Sequence, residues 1–270
     1  MTNIIKTGFL RENAIKEIPQ SEIDTLLLKQ QSFLDQYGDK ISEKYKIKWP
    51  INKLHWWSRP AEYHFLLRSL DNLNVDGMDI LEFGPGCSFA THEVLTKMTV
   101  GTLSLVDNDN EVLKFWNLVA EENDADLFAA PNLRSFENKA FDLIYSVSVL
   151  EHVDGFKQHM NELISLLRPG GWLVLTMDID LSDTGDNGLN RSDLEWLILN
   201  DRLILPPNIR LVDIYPKDLL KPNETWRNNL FNENLSFLSK VKRKAYKLIN
   251  FRTFRRKQKI CVFNLVLQKK

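Results

Sequence analysis

The chain has no long hydrophobic run, because charged residues interrupt every apolar stretch of its 270 residues. We therefore expect no membrane-spanning segment, and the first 20 residues lack the apolar core of a secretory leader. Cysteine is almost absent: Cys87 and Cys261 lie far apart and show no CxxC spacing. This excludes a disulfide framework and favours a reducing, cytoplasmic setting.

Internal repeats and low-complexity linkers are also missing, and the hydrophobic content of 43% is that of an ordinary globular protein. Residues 1–77 show helical and irregular patterns, which predict an α-helical N-terminal extension. From Met78 the pattern changes to short apolar runs separated by helical segments. This alternation predicts an α/β domain over residues 78–270, with parallel strands buried on both faces. The apolar runs are MDILEF, TLSLVD, FDLIYSV, GWLVLTM, IRLVDIY and ICVFNLVLQ.

The segment ILEFGPGCSFAT, residues 80–91, predicts a glycine turn between the first of these strands and a helix. Gly84 and Gly86 carry no Cβ, so a ligand could approach the backbone, and the helix N-terminus would offer free N–H groups. A dinucleotide fingerprint needs a third glycine three residues later, and Phe89 stands there instead. A plain tight turn is the structural alternative.

The pattern Glu82-x-Gly84-x-Gly86-x-Ser88 resembles motif I of the class I S-adenosylmethionine-dependent methyltransferases, with serine in place of the third glycine. The resemblance continues over about residues 78–177, through Asp107 at the end of LSLVD and through FDLIYSVSVLEHV and LISLLRPGGWLVLTM. It implies a Rossmann-like seven-stranded sheet whose last strand is antiparallel, with helices on both faces. It also implies S-adenosyl-L-methionine as cofactor and S-adenosyl-L-homocysteine as product.

The cofactor residues that this resemblance implies lie mostly around the turn. Asp107 would accept hydrogen bonds from both ribose hydroxyls, and Glu82 would reach the ammonium group, directly or through water. Arg59 precedes Pro60, which predicts extended backbone and a side chain free to pair with the cofactor's carboxylate. Asp126 and Asn132 are open alternatives for the adenine contact. The complete predicted set is Trp57, Arg59, Glu82, Gly84, Pro85, Gly86, Ser88, Asp107, Asn108 and Ser146.

Glu151 and His152 are the predicted catalytic residues, because the resemblance places this pair beside the acceptor and histidine titrates near neutral pH. Helix capping and a structural hydrogen bond are the alternatives. No metal is predicted, since Ser148 stands where a metal-binding branch of the family has an acid. The nearby acids Asp178, Asp180, Asp183 and Asp186 fit loop solvation better than ion binding. Trp57 and Arg59 could close over the site or only pack.

The stretch from Lys240 to Lys259 contains ten basic residues and no acid, and it overlaps a predicted basic insertion at 217–257. Such a segment could meet a membrane surface, a phosphorylated substrate or nucleic acid, or form a solvated lid. The favoured function is methyl transfer to a small-molecule or glycan-type acceptor, on oxygen. The alternatives are an RNA methyltransferase that uses residues 240–259, or a non-catalytic protein that binds the cofactor.

Overall fold

The structure is a computed structural model that describes residues 5–11, 13–181, 189–206, 209–212 and 260–270. The predicted basic insertion and Asp183 and Asp186 lie outside these residues. The described helices are α1 (Gln20–Tyr37), α2 (Glu43–Lys48), α3 (Arg59–Leu73), α4 (Phe89–Lys97), α5 (Asn110–Asn123), α6 (Phe156–Leu166) and α7 (Arg191–Ile198). The strands are β1 (Ile5–Phe9), β2 (Asp79–Phe83), β3 (Thr102–Val106), β4 (Leu127–Ala130), β5 (Phe141–Val147), β6 (Leu167–Asp180), β7 (Leu203–Ile204), β8 (Ile209–Val212) and β9 (Ile260–Lys269).

One sheet contains all these strands, in the order β4-β3-β2-β5-β6-β9-β1-β8, with β7 paired to β9. Strands β2 to β6 are mutually parallel, and β9 runs antiparallel to β6 from Trp172↔Gln268 to Asp180↔Ile260. The predicted α/β fold with an antiparallel last strand is confirmed. Because β2, β3, β5 and β6 are parallel, their carboxyl ends share one edge, which is where open α/β sheets bind ligands.

The sheet differs from the expected seven strands, since nine are present among the described residues. Strand β1 comes from the N-terminal segment that the sequence pattern indicated as helical or irregular, and it lies between β8 and β9. The sequence IKTGF is short and contains glycine, so it carries no clear period-two pattern. Its strand conformation follows from the backbone partners that β8 and β9 supply on either side.

The core lies on both faces of the sheet, in agreement with the apolar character of the central strands. On one face α1, α3, α4 and α5 bury Phe33, Leu66, Val94 and Trp116 against β2, β3 and β5. On the other face α6 and α7 bury a second cluster that includes Met160. The helices α1–α3 of the extension therefore share a core with the sheet. No described helix has the length and apolar character required to cross a membrane.

Candidate functional site

The glycine turn follows β2 and is held closely by the protein itself. Gly84 and Gly86 have φ values of +74° and +53°, a region that residues with a Cβ adopt only with strain. A Cβ on Gly84 would lie 2.4 Å from Val149 Cγ1, and a Cβ on Gly86 would lie 2.7 Å from Tyr45 Oη. The space that glycine frees is thus filled by side chains of this chain.

Tyr45, on α2 of the extension, contacts the turn. Its buried hydroxyl accepts hydrogen bonds from the Cys87 backbone N–H at 3.0 Å and from Lys53 Nζ at 2.9 Å. The N–H of Ala90 donates to Ser88 Oγ, the side chain that caps α4. The expectation of free N–H groups at this helix N-terminus is therefore wrong for residues 87 and 90.

Asp107 lies at the carboxyl end of β3, where the sequence pattern placed it. Its Oδ2 accepts a hydrogen bond from the Gly86 N–H at 3.2 Å, and its Oδ1 accepts one from the Asp109 N–H at 2.9 Å. A carboxylate oxygen has two lone pairs, so each oxygen keeps one acceptor position. Burial raises the pKa of Asp107, and the two backbone hydrogen bonds oppose that rise.

Glu82 lies beneath the turn, on β2, and is almost inaccessible. Its Oε2 accepts a hydrogen bond from the Tyr145 hydroxyl at 2.7 Å. Burial raises the pKa of Glu82 to about 7, although the Tyr145 hydrogen bond lowers it. A ligand on the turn would meet this carboxylate through an ordered water more easily than directly.

The other predicted cofactor residues differ in their burial and in their position relative to the turn. The Ser146 hydroxyl is buried and donates to the Phe83 carbonyl at 2.8 Å, so it joins β5 to β2 behind the turn. Pro85 and Ser88 are buried within the turn, and Ser88 also donates to the Tyr63 hydroxyl at 3.3 Å. Asn108 is exposed beside Asp107.

Arg59 departs from the expected extended conformation, because it is the first residue of α3. A proline in the first turn is compatible with a helix, since the N–H groups there have no partner within the helix. Arg59 Nη1 donates to Glu62 Oε2 at 2.8 Å, and Glu62 is completely buried. The carboxylate of Glu62 also accepts hydrogen bonds from Ser148 and Thr176. Trp57 is half-buried just before this helix.

Glu151 and His152 follow β5 in a short 3₁₀ helix, Leu150–His152. Glu151 Oε1 accepts a hydrogen bond from the Asp178 backbone N–H at 3.1 Å. Burial raises the pKa of the Glu151 carboxyl and the pKa of the Asp178 carboxyl. The negative charge of Asp178 raises the pKa of Glu151 further. His152 is an exposed residue, yet desolvation of its ring and the charge of Arg59 lower its pKa.

Sequence reasoning missed Tyr45 and Glu62. Tyr45 carried no signal, because its contact with the turn is purely tertiary. The sequence did contain a signal for Glu62, since it lies four residues before Leu66 and eight before Leu70. This spacing places an acid on the apolar face of α3. For the adenine contact, Asn132 is occupied as a cap that accepts from the Arg134 N–H, and Asp126 is exposed before β4. Within the described ranges, no three acids, histidines or cysteines are arranged as ligands of a metal ion.

Residues 81–175 match the family described as Methyltransferase domain. With the sheet order and the glycine turn, this match supports a class I S-adenosylmethionine-dependent methyltransferase domain over residues 81–175. A stretch of 106 residues is 30% identical to the polyketide synthase component of compactin nonaketide synthase from Penicillium citrinum. It covers 36% of this chain and 4% of that protein, so the chain spans a small part of that relative's length.

Two solved structures share the fold over most of their length. The [4+2]-cyclase SpnF superposes with a TM-score of 0.56 at 13% identity, over 79% of this chain and 83% of that one. A putative sarcosine dimethylglycine methyltransferase from Galdieria sulphuraria superposes with a TM-score of 0.53 at 14% identity, over 77% and 85%. At these identities the likeness shows the fold alone.

Proposed function

We propose that this chain, whose residues 81–175 form a class I methyltransferase domain, transfers a methyl group from S-adenosyl-L-methionine to a small-molecule acceptor and releases S-adenosyl-L-homocysteine. The observation that carries the proposal is the hydrogen bond from the Gly86 N–H to Asp107. It joins the glycine turn to an acid at the neighbouring strand end. A nucleoside ligand needs both of these features: a turn whose backbone it can approach closely, and two acceptor oxygens for its ribose hydroxyls.

The residues present fit this cofactor. Asp107 keeps one acceptor position on each oxygen for a ribose hydroxyl. Glu82 supplies negative charge beneath the turn for the ammonium group. In this proposal Arg59 pairs with the cofactor's carboxylate through guanidinium hydrogens that Glu62 does not use, and Trp57 packs beside it. The cofactor supplies an activated methyl group on sulfur, and the protein orients the acceptor for an in-line displacement.

Glu151 and His152 are the proposed catalytic residues, and their environments suit different roles. The lowered pKa of His152 keeps its imidazole neutral at pH 7, the form in which it accepts a proton. Burial and the charge of Asp178 raise the pKa of Glu151, so its carboxyl binds a proton more tightly than an exposed glutamate does. Both residues follow β5 at the carboxyl edge of the sheet, next to the strand that carries the glycine turn.

We also propose an acceptor class, a cellular location and domain boundaries. The motifs favour an oxygen of a small or glycan-type compound, whereas the charges around Glu151 favour nitrogen. We assign residues 1–77 to a cap and residues 78–270 to the catalytic domain, in a cytoplasmic protein. The basic stretch 240–259 would meet an anionic partner, either a membrane surface, a phosphorylated substrate or nucleic acid.

Transfer of an isotopically labelled methyl group tests the proposal. The protein is incubated with methyl-labelled S-adenosyl-L-methionine and, separately, with amines, alcohols, sugars and RNA. We expect labelled small molecule and stoichiometric S-adenosyl-L-homocysteine with the wild type, and neither with Asp107→Ala. Labelled RNA would favour the RNA methyltransferase. Cofactor binding without label in any class would favour a non-catalytic binding protein, and the absence of cofactor binding would contradict the proposal.

A further inference from the structure

Three buried carboxyl groups lie at the carboxyl ends of β5 and β6, and each has one oxygen without a hydrogen-bond partner. Glu62 comes from α3, Glu151 from the turn after β5, and Asp178 from β6. Among the described residues, the carboxylate oxygens that have neither a hydrogen-bond partner nor contact with solvent are Glu62 Oε1, Glu151 Oε2 and Asp178 Oδ1. Unsatisfied buried acceptors are rare in native proteins, so each needs an explanation.

The second oxygen of Glu62 shows that this carboxylate is held in place. Glu62 Oε2 accepts hydrogen bonds from Arg59, Ser148 and Thr176, which fixes the carboxylate on a side chain with 0% exposure. Ser148, which donates one of these hydrogen bonds, has a φ of +47°, a strained value for a residue other than glycine. Glu62 Oε1 therefore remains unpaired in a rigid setting.

Charge in the cluster is not balanced. Arg59 interacts electrostatically with Glu62, Glu151 and Asp178, and within the described part of the chain it is the cation that acts on all three. Fully ionised, three carboxylates around one guanidinium carry an excess of two negative charges. Such an excess is costly away from water unless a further cation or proton is present. Glu151 and Asp178 are only partly buried as residues, although their unpaired oxygens have no contact with solvent.

We propose that the acceptor presents an amino group to Glu151 and Asp178, so that the enzyme is an N-methyltransferase for a small amine. The inference rests on the proposed function and names its substrate class. A primary ammonium brings a positive charge and three donor hydrogens, whereas a neutral hydroxyl brings one hydrogen and no charge. The ammonium supplies donors for the unpaired oxygens and offsets one of the two excess negative charges. Arg59 and Glu62 form the fixed floor of this subsite.

The chemical step requires the free amine, because an ammonium nitrogen has no lone pair. One carboxylate of the pair takes a proton from the ammonium group. The nitrogen lone pair then forms a bond to the methyl carbon, the bond from that carbon to sulfur breaks, and its electron pair stays on sulfur. A secondary ammonium results, and the proton held by the carboxyl passes to solvent. Charge and atoms balance without an oxidant or reductant.

A proton shared between Glu151 and Asp178 is the competing explanation. Such a proton would give Glu151 Oε2 and Asp178 Oδ1 a hydrogen bond to each other, and it would leave Glu62 Oε1 without a partner. A pair that already holds a proton carries one negative charge instead of two, so it selects less strongly for a cation over a neutral molecule of the same shape. The two explanations therefore differ in how the protein selects between an amine and the matching alcohol.

Calorimetric titration with 2-phenylethylamine and with 2-phenylethanol tests this selection, at pH 8 and with the site saturated by S-adenosyl-L-homocysteine. The variants are Asp178→Asn and Glu151→Gln, which keep size and remove charge. Asp154→Asn is the matched control, because Asp154 is an exposed acid three residues from Glu151. Affinity for S-adenosyl-L-homocysteine is measured first on every variant, and it reports separately on folding and on the proposed function.

We expect the wild type and Asp154→Asn to bind the amine at least 10-fold more tightly than the alcohol. Each of the two site variants should lose this preference while binding S-adenosyl-L-homocysteine as before. Equal affinity for the two probes, no binding of the amine, or amine binding that survives both site variants would overturn the inference. Failure of S-adenosyl-L-homocysteine to bind the wild type would instead overturn the proposed function.

Discussion

The Tyr45 hydroxyl accepts a hydrogen bond from the Cys87 backbone N–H at 3.0 Å, and this contact ties the N-terminal extension to the glycine turn. A second link lies beside it, where Lys48 Nζ contacts Asp109 Oδ2 at 3.0 Å. Asp109 caps α5 and donates its N–H to Asp107. The extension therefore supports both the turn and the acid that we assign to the cofactor.

Tyr45→Phe should weaken cofactor binding. The change leaves the buried Cys87 N–H without its acceptor, which costs about 1–3 kcal/mol. We expect a lower free energy of unfolding in urea and roughly 10-fold weaker binding of S-adenosyl-L-homocysteine, since 1.4 kcal/mol is tenfold in affinity. Tyr37→Phe is the control, because it removes another buried hydroxyl, which accepts from Asn123, from the same extension. An equal loss of affinity in both variants would show that the effect is general destabilisation.

Gly86→Ala should be more harmful than Gly77→Ala. Both positions have positive φ, +53° and +72°, so the backbone strain is similar. A Cβ at residue 77 meets nothing within 4 Å, whereas one at residue 86 lies 2.7 Å from Tyr45 Oη. We expect a loss of about 1 kcal/mol at 77 and at least about 1–3 kcal/mol more at 86, by urea unfolding. Equal losses would mean that Tyr45 moves aside without cost.

Glu82→Gln should change how stability depends on pH. The pKa of Glu82 is about 7 in the folded chain against a usual 4.5, so the folded state holds the proton more tightly. The free energy of unfolding of the wild type should therefore fall as pH rises from about 4.5 to 7, by about 3 kcal/mol from this group. Glu82→Gln lacks this loss, so its stability relative to wild type should increase over the same interval. A constant difference between pH 4.5 and pH 8 would contradict the raised pKa.

Arg59 and Glu62 should behave as a coupled pair. Arg59→Met leaves the buried Glu62 carboxylate without its cation and should cost about 3–5 kcal/mol of unfolding free energy. Arg59→Met with Glu62→Leu removes both charges and should recover a large part of that loss. A double-mutant cycle by urea unfolding measures the coupling. Additive effects of the two substitutions would show that the buried pair does not interact as described.

The fold could be predicted because local patterns and tertiary structure agree over residues 78–177. Buried parallel strands are apolar runs, and the turn after β2 needs glycine at positive φ. Asp107 could be placed for the same reason, as an acid that directly follows a buried strand. Strand β1 could not be predicted, because its conformation depends on partners at residues 209–212 and 260–269 that are remote in sequence.

The acid cluster could not be derived from the motifs, because its members come from three separate elements. The sequence pattern predicts a solvated loop that contains Asp178, Asp180, Asp183 and Asp186. Asp178 instead lies on β6, and its backbone N–H donates to Glu151. Arg59 was expected to reach outward and instead pairs with a buried acid on its own helix. Sequence spacing predicts which residues are neighbours along one helix or strand. It does not predict which charged residues of different elements come together when those elements pack.

Calorimetric titration with S-adenosyl-L-homocysteine, on the wild type and on Asp107→Ala with NAD as a second ligand, tests the central claim most directly. We predict micromolar binding to the wild type, at least 10-fold weaker binding to Asp107→Ala, and no binding of NAD. Unchanged affinity in the variant would contradict the assignment of Asp107 to the ribose. Absence of S-adenosyl-L-homocysteine binding, or a preference for NAD, would contradict the methyltransferase account as a whole.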